Sequence, residues 1–120
     1  MRCLLVDDSV RFLEEAQRTL QREGFCVVGV ATTATDALDL VSAHSAELLL
    51  LDMDLGADSG LDLLARLARE SRLSAMRVIL ISAHDEADFA ELIDSSSAAG
   101  FVAKAQLSAN AIYDVLDAVE

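Results

Sequence analysis

The chain predicts an α/β fold, five strand-helix units laid out as an open, doubly wound parallel sheet, on three observations. Five short apolar runs recur along the 120 residues, each followed by a stretch whose apolar positions have helical spacing. The runs are continuous rather than alternating, which is how strands covered on both faces read. Five units are too few to close an eight-stranded barrel, so the sheet stays open.

The first strand, β1, is "CLLV" (3 to 6), stopped by Asp7 and Asp8. In "SVRFLEEAQRTLQREG" (9 to 24), Leu13, Ala16, Thr19 and Leu20 share a helical face and Gly24 suits the C-terminal cap, which makes α1. "CVVGVA" (26 to 31) is brief and β-branched, hence β2. "TTATDALDLVSAHS" (32 to 45) opens on threonine and aspartate start signals and turns Ala37, Leu38 and Val41 inward, hence α2. "LLLLD" (48 to 52) is β3 and "GLDLLARLARE" (60 to 70) is α3. "RVILIS" (77 to 82) and "EADFAELIDS" (86 to 95) give β4 and α4. "GFVAK" (100 to 104) and "SANAIYDVLDAVE" (108 to 120) give β5 and α5, the latter with Ile112, Val115, Leu116 and Val119 on one face. Strands alternating with helices take right-handed crossovers into a sheet covered on both sides. The preferred arrangement is flavodoxin-like, strand order 2-1-3-4-5, in a single domain over residues 1 to 120.

Nine basic residues against twenty-one acidic ones leave a net charge of −12, which argues against a domain that holds nucleic acid or an anionic membrane surface by its own charge. No apolar run approaches the ~20 residues of a membrane span. Two aspartates within the first eight residues do not fit a secretory signal, so the expected location is the cytoplasm. Cys3 and Cys26 lack metal-ligand spacing and are expected to be small buried apolar side chains. Eight of the nine cations are arginines; the one lysine is Lys104.

In open α/β sheets, ligands bind beyond the carboxyl ends of the strands. There the sequence places Asp7 and Asp8 after β1, Asp52 at the end of β3, Ser82 at the end of β4 and Lys104 at the end of β5. With β1 beside β3, three carboxylates converge, and like charges about 4 Å apart repel by roughly 4 kcal/mol at intermediate dielectric. They need a cation or raised pKa values. Mg2+ answers that need, taking oxygen ligands from one or two carboxylates together with water and a phosphate. Taken alone, each residue has a plainer use: an Asp-Asp pair or a serine caps a helix, and a lysine sits in solvent. Their meeting at one edge makes a site. A carboxylate facing a divalent ion, an ammonium and a hydroxyl is equipped to attack phosphorus.

Over its whole length the chain resembles the receiver domain of two-component response regulators. "LLVDDS", "LLLLDMDLGADSG", "VILISA" and "GFVAK" match that family's acidic pair, acceptor loop, hydroxyl strand and lysine strand. The separations of 44, 30 and 22 residues between Asp8, Asp52, Ser82 and Lys104 are those usual in the family. The resemblance implies that Asp52 accepts a phosphoryl group from the phosphohistidine of a sensor histidine kinase. It implies that Asp8 ligates Mg2+ directly, Asp7 mostly through water and Asp54 through its backbone carbonyl, with Asp52 in the same set. Ser82 would bind a phosphoryl oxygen and Lys104 would pair with the anion. Phe101 would be the switch aromatic that turns inward with the hydroxyl; from periodicity it is equally an ordinary core side chain. The added charge and acceptor oxygens are expected to bias a two-state equilibrium on the α4-β5-α5 face, where the family forms homodimers or docks effectors. A DNA-binding effector is expected elsewhere, on another domain or chain. The "SSSAAG" stretch (95 to 100) is expected to offer little packing against such movement.

The chain has no proline. Gly56 stands where the family usually has one after the acceptor, and is expected to loosen that loop. Ala105 stands where another follows the lysine, typically through a cis bond. Because a cis bond before a non-proline residue costs ~3 to 4 kcal/mol, the expectation is a trans Lys104-Ala105 bond with a shifted loop, or a strained cis one. Asp54 and His84, each two residues past a site residue, flank the pocket mouth and are candidates for tuning hydrolysis of the acyl phosphate; for His84 an exposed loop position is a better explanation than a general base. Two other functions compete. "DMD" after a strand resembles the Asp-x-Asp of haloacid-dehalogenase-type phosphatases, but it begins late and leaves Asp7 and Asp8 unexplained. A receiver-like interaction module without phosphorylation is the other, and the intact pocket argues against it. The expected function is a phosphorylatable receiver that catalyses only its own phosphorylation and slow dephosphorylation, standing alone or cut from a longer regulator.

Overall fold

Four consecutive leucines have no side that tolerates water, and burying each contributes about 1.5–3 kcal/mol. In the computed structural model of the protein, which describes residues 1–73, 75–84 and 89–118, β3 (Leu48–Asp52) satisfies them by lying at the centre of a five-stranded sheet, buried at every position. Around it run β1 (Arg2–Val6), β2 (Cys26–Ala31), β4 (Arg77–Ser82) and β5 (Gly100–Ala103). All neighbours in this sheet pair in parallel, in the order β2-β1-β3-β4-β5. This is the predicted flavodoxin-like order.

The alternation of strand side chains divides the core into two layers. On one face Cys3, Leu5, Leu48, Leu50, Ile79, Ile81 and Val102 pack with Leu13, Ala16 and Leu20 of α1 (Val10–Arg22) and Ile112 and Leu116 of α5 (Ala109–Asp117). On the other, Leu4, Leu49, Leu51, Val78, Leu80 and Phe101 meet Ala37 of α2 (Ala34–Ala43), Leu63, Leu64 and Leu67 of α3 (Gly60–Arg69) and Ile93 of α4 (Ala90–Asp94). Thr33 caps α2 as its start signals predicted, and Ser9, Ser59 and Ser108 do the same for α1, α3 and α5: the side-chain oxygen of each accepts a backbone N–H from the first turn of its helix. Gly24, just past α1, takes φ +97°, the left-handed conformation that ends helices.

Several expectations change. Cys26 is exposed, not buried, because it opens the edge strand β2, which has a neighbour on one side only. Cys3 is buried, and burial pushes its thiol up to about 11, which leaves it inert. The segment predicted as α4 is helical over Ala90–Asp94, and residues 86–88 of that prediction lie outside the described residues, as does Val119 on α5. The stretch 95 to 100 is better tied than its small side chains suggest. Ser95 and Ser96 donate their hydroxyls back to Glu91 and Ile93 carbonyls, and Ala99 N–H donates to Val78. The loop after β3 is not slack either: Asp54–Leu55 and Asp58–Ser59 form a small antiparallel ladder. Gly56 opens its two-residue turn with φ +72°, a value closed to proline and suited to glycine in a hairpin. Among the described residues there is no cis peptide bond. The Lys104–Ala105 bond is therefore trans, and the chain continues directly into a 3-10 turn over Lys104–Gln106.

Candidate functional site

Strand register brings the candidate residues level. Val6 is paired with Leu51, so Asp7 follows β1 at the height of Asp52. Asp52 is opposite Ile81 and Ser82 opposite Ala103, which sets Ser82 and Lys104 one step further along the same edge. Asp7, Asp52 and Ser82 are the buried polar residues among those described, whereas Asp8 is exposed. One carboxylate oxygen from each of Asp7, Asp8 and Asp52 lies within 4.8 Å of the others.

Lys104 closes this cluster. Its Nζ is 2.6 Å from Asp7 Oδ2 and 3.4 Å from Asp52 Oδ2, with the side chain 18% exposed. The contact with Asp52 has hydrogen-bond geometry. The shorter one to Asp7 is an ion pair by distance but lies off the bonding direction, which leaves Asp7 Oδ2 fully buried without a directional donor. The other oxygen, Oδ1, accepts from Ser9 N–H at 2.8 Å. A buried oxygen that has an ion-pair partner but no directional donor, beside two more carboxylates, is a good place for a hard divalent cation, which binds oxygens. The residues present fit such an ion.

Electrostatics agrees with the geometry. Burial first, and the Asp7 charge second, push the Asp52 carboxyl up to about 6, against the lowering pull of the Asp54 N–H and of Lys104. Burial draws the Lys104 ammonium down, but its pairing with Asp7 and Asp52 outweighs that and leaves it raised. One cation therefore faces two buried acids and offsets them incompletely.

The flanking candidates divide. Ser82 Oγ accepts the His84 N–H at 3.0 Å. His84 itself is exposed, and its ring stands edge to face on Phe89, centroids 5.8 Å apart, so its contact with the site is a backbone one. Asp54 is exposed at the mouth; its N–H donates to Asp52 Oδ1 at 3.3 Å while its own Oδ1 accepts from Gly56 N–H. Phe101 is 7% exposed and packs in the layer of α2, α3 and α4. It is a core side chain in this conformation, turned inward.

Two residues were missed. A Cβ on Gly60 would run into the carbonyl oxygen of Asp52, so α3 can dock against the end of β3 only through a glycine. The signal was a glycine at the first position of a helix, where other residues serve better. Phe12 places its ring under Lys104, Nζ 4.7 Å from the centroid; a lone aromatic beside the inner stripe of α1 was the only hint. The hairpin also reaches sideways, Asp58 Oδ2 accepting the Ala34 N–H at the start of α2.

Residues 3–117 match the family model described as the response regulator receiver domain. The chain belongs to that family. Receiver domains are modules of two-component response regulators, a family of regulators and not of classical enzymes. Among curated proteins, this receiver is 36% identical over 105 residues to the alginate biosynthesis transcriptional regulatory protein AlgB of Pseudomonas syringae pv. tomato, covering 86% of the chain and 22% of the relative. It is 35% identical over 118 residues to the "Probable transcriptional regulatory protein NarL" of Mycobacterium tuberculosis, covering 98% of the chain and 54% of the relative. The receiver thus spans between about a fifth and about half of these proteins. Among solved structures, a response regulator from Burkholderia pseudomallei with a phosphorylated aspartic acid, calcium ion and citrate superposes with a TM-score of 0.81 at 28% identity, over 96% of this chain and 65% of that one. Among the described residues no helix is long and apolar enough to cross a membrane.

Proposed function

We propose that the protein is a phosphorylatable receiver of a two-component system, in which Asp52 takes a phosphoryl group from the phosphohistidine of a sensor histidine kinase. The observation that carries this reading is the buried acid pair Asp7 and Asp52 under a single ammonium, with Ser82 one step further along the same edge. The phosphorylated aspartate of the Burkholderia neighbour supports it.

Each side chain then has a task. Asp52 is the nucleophile, its oxygen attacking phosphorus as the donor imidazole leaves. Asp7, Asp8, Asp52 and the Asp54 backbone carbonyl would hold Mg2+. That ion supplies charge neutralisation on the transferring group when bound. Lys104, held between Asp7 and Asp52, turns to the phosphoryl oxygens as Asp52 loses its carboxylate. Ser82 donates its hydroxyl hydrogen to one of those oxygens while continuing to accept from His84. Phe101 is the aromatic whose packing responds to that movement, and the α4-β5-α5 face is where the change is read, by an effector or by a second copy. Asp54, at the mouth, sets how water reaches the acyl phosphate, and His84 contributes its backbone N–H to Ser82.

The module works in the cytoplasm, standing alone or as part of a longer regulator whose effector, commonly DNA-binding, is a separate domain or chain. Incubation with a small acyl phosphate and Mg2+ should give one equivalent of acid-labile phosphate, with no turnover of generic phosphomonoesters. Asp52→Asn should abolish it. Labelling that persists in that variant refutes the assignment.

A further inference from the structure

The family's usual proline after the lysine is absent, the Lys104–Ala105 bond is trans, and yet the ammonium is delivered to the acids. A lysine has four rotatable bonds and gives up substantial rotamer freedom when held. Asp7 and Asp52 draw the ammonium from one side, and a contact on another side would restrict it further. We propose that the face of Phe12 is a positioning platform for Lys104, supplying by a cation–π contact the constraint that the loop does not. This rests on the reading of Lys104 as the residue that meets the phosphoryl group.

Phe12 lies on α1 three residues after the cap Ser9, to whose Oγ its N–H donates at 3.2 Å. Ser9 N–H in turn donates to Asp7 Oδ1. The ring therefore hangs from the same aspartate whose other oxygen faces the ammonium, and the circuit Asp7, Ser9, Phe12, Lys104 closes on itself. Nζ has three hydrogens and meets three partners: Asp7, Asp52 and the ring, 4.7 Å to its centroid. The ring and the lysine stem also line a groove of about 300 Å3 with Ala16, Thr19, Ala105 and Leu107. With side-chain exposure of Lys104 at 18%, little water competes for the ammonium. Removing a contact of this kind corresponds to about a threefold to tenfold loss in whatever depends on it.

Because Lys104 is the only lysine in the chain, lysine labelled with 13C at the ε-carbon gives a single NMR signal that reports on this contact without assignment. In the unaltered protein its ε-methylene should be displaced upfield by the ring. Phe12→Leu, which keeps an apolar side chain, should return it toward the position of free lysine and slow phosphorylation by acetyl phosphate and Mg2+ about threefold to tenfold; Phe12→Tyr should preserve both. An ε-methylene signal unchanged by Phe12→Leu overturns the contact. A Phe12→Tyr protein as slow as Phe12→Leu overturns the role of the ring face. Absence of phosphorylation in the unaltered chain would instead strike the proposed function, while the NMR signal would still decide the contact.

Discussion

Asp52 is held in a state it would not choose alone. Its carboxyl titrates at about 6 when folded against about 4 in the free side chain, chiefly through burial and then through the Asp7 charge. The folded chain thus holds that proton more tightly than the unfolded one, and this contribution to stability, present below about pH 4, is lost as pH rises through 6. Without metal, Asp52→Asn should be more stable than the parent at pH 7 by about 3 kcal/mol, at roughly 1.4 kcal/mol per unit of displacement. The gap should close near pH 4. Urea titrations in a chelator at both pH values would test it, and a gap independent of pH would count against the buried charge as its origin. Lys104→Met removes the one cation facing Asp7 and Asp52. It should cost about 3 kcal/mol in the metal-free protein, as breaking a buried pair does, and Mg2+ should recover part of it; equal losses with and without Mg2+ would show that the ammonium and the ion do not share one task. Which residues meet here was legible from sequence because strand ends can be counted. The depth of Asp7 and the exposure of Asp8 were not, since two adjacent aspartates look alike until the chain turns between them.

Strands and long helices announced themselves through unbroken leucine runs and one-sided apolar spacing, and β3 and α1 stand where those patterns put them. Short features did not. The ladder Asp54–Leu55 with Asp58–Ser59 pairs two residues on each side, too few to show a period. Helix α4 has no side-chain cap at Phe89 and only five residues, so its extent depends on packing of Ile93 rather than on local signals. Gly60 illustrates the limit from the other side: its importance comes from the Asp52 carbonyl eight residues earlier, which only the docked helix reveals. Gly60→Ala should destabilise the protein by about 1–3 kcal/mol, as overpacking does, and weaken Mg2+ binding measured by calorimetry, because the end of β3 must shift. Unchanged affinity together with unchanged stability would mean the helix start adapts freely.

Charge distribution matters beyond any one site. After residue 77 the sequence carries eight acids and a single cation, Lys104, which is occupied in the pocket. Of the eight, Glu91, Asp94, Asp114 and Asp117 lie on the helices of the α4-β5-α5 side. A symmetric dimer through that side sets like charges against each other. Self-association should therefore strengthen as monovalent salt rises from about 50 to 500 mM, because screening shortens the reach of the repulsion; sedimentation equilibrium that shows weaker association at high salt would point to a different interface. The layer order and strand order were readable beforehand because parallel crossovers leave few alternatives. The hydrogen bonds of the 95 to 100 turn were not, since they come from serine hydroxyls folded back on their own helix. A related economy governs Ser82. Its oxygen already grips the chain two residues ahead, so only the hydroxyl hydrogen turns freely: an anion that draws the oxygen itself closer either breaks that grip or tows the backbone at His84 along, and a movement of one small side chain is thereby geared to the displacement of a segment.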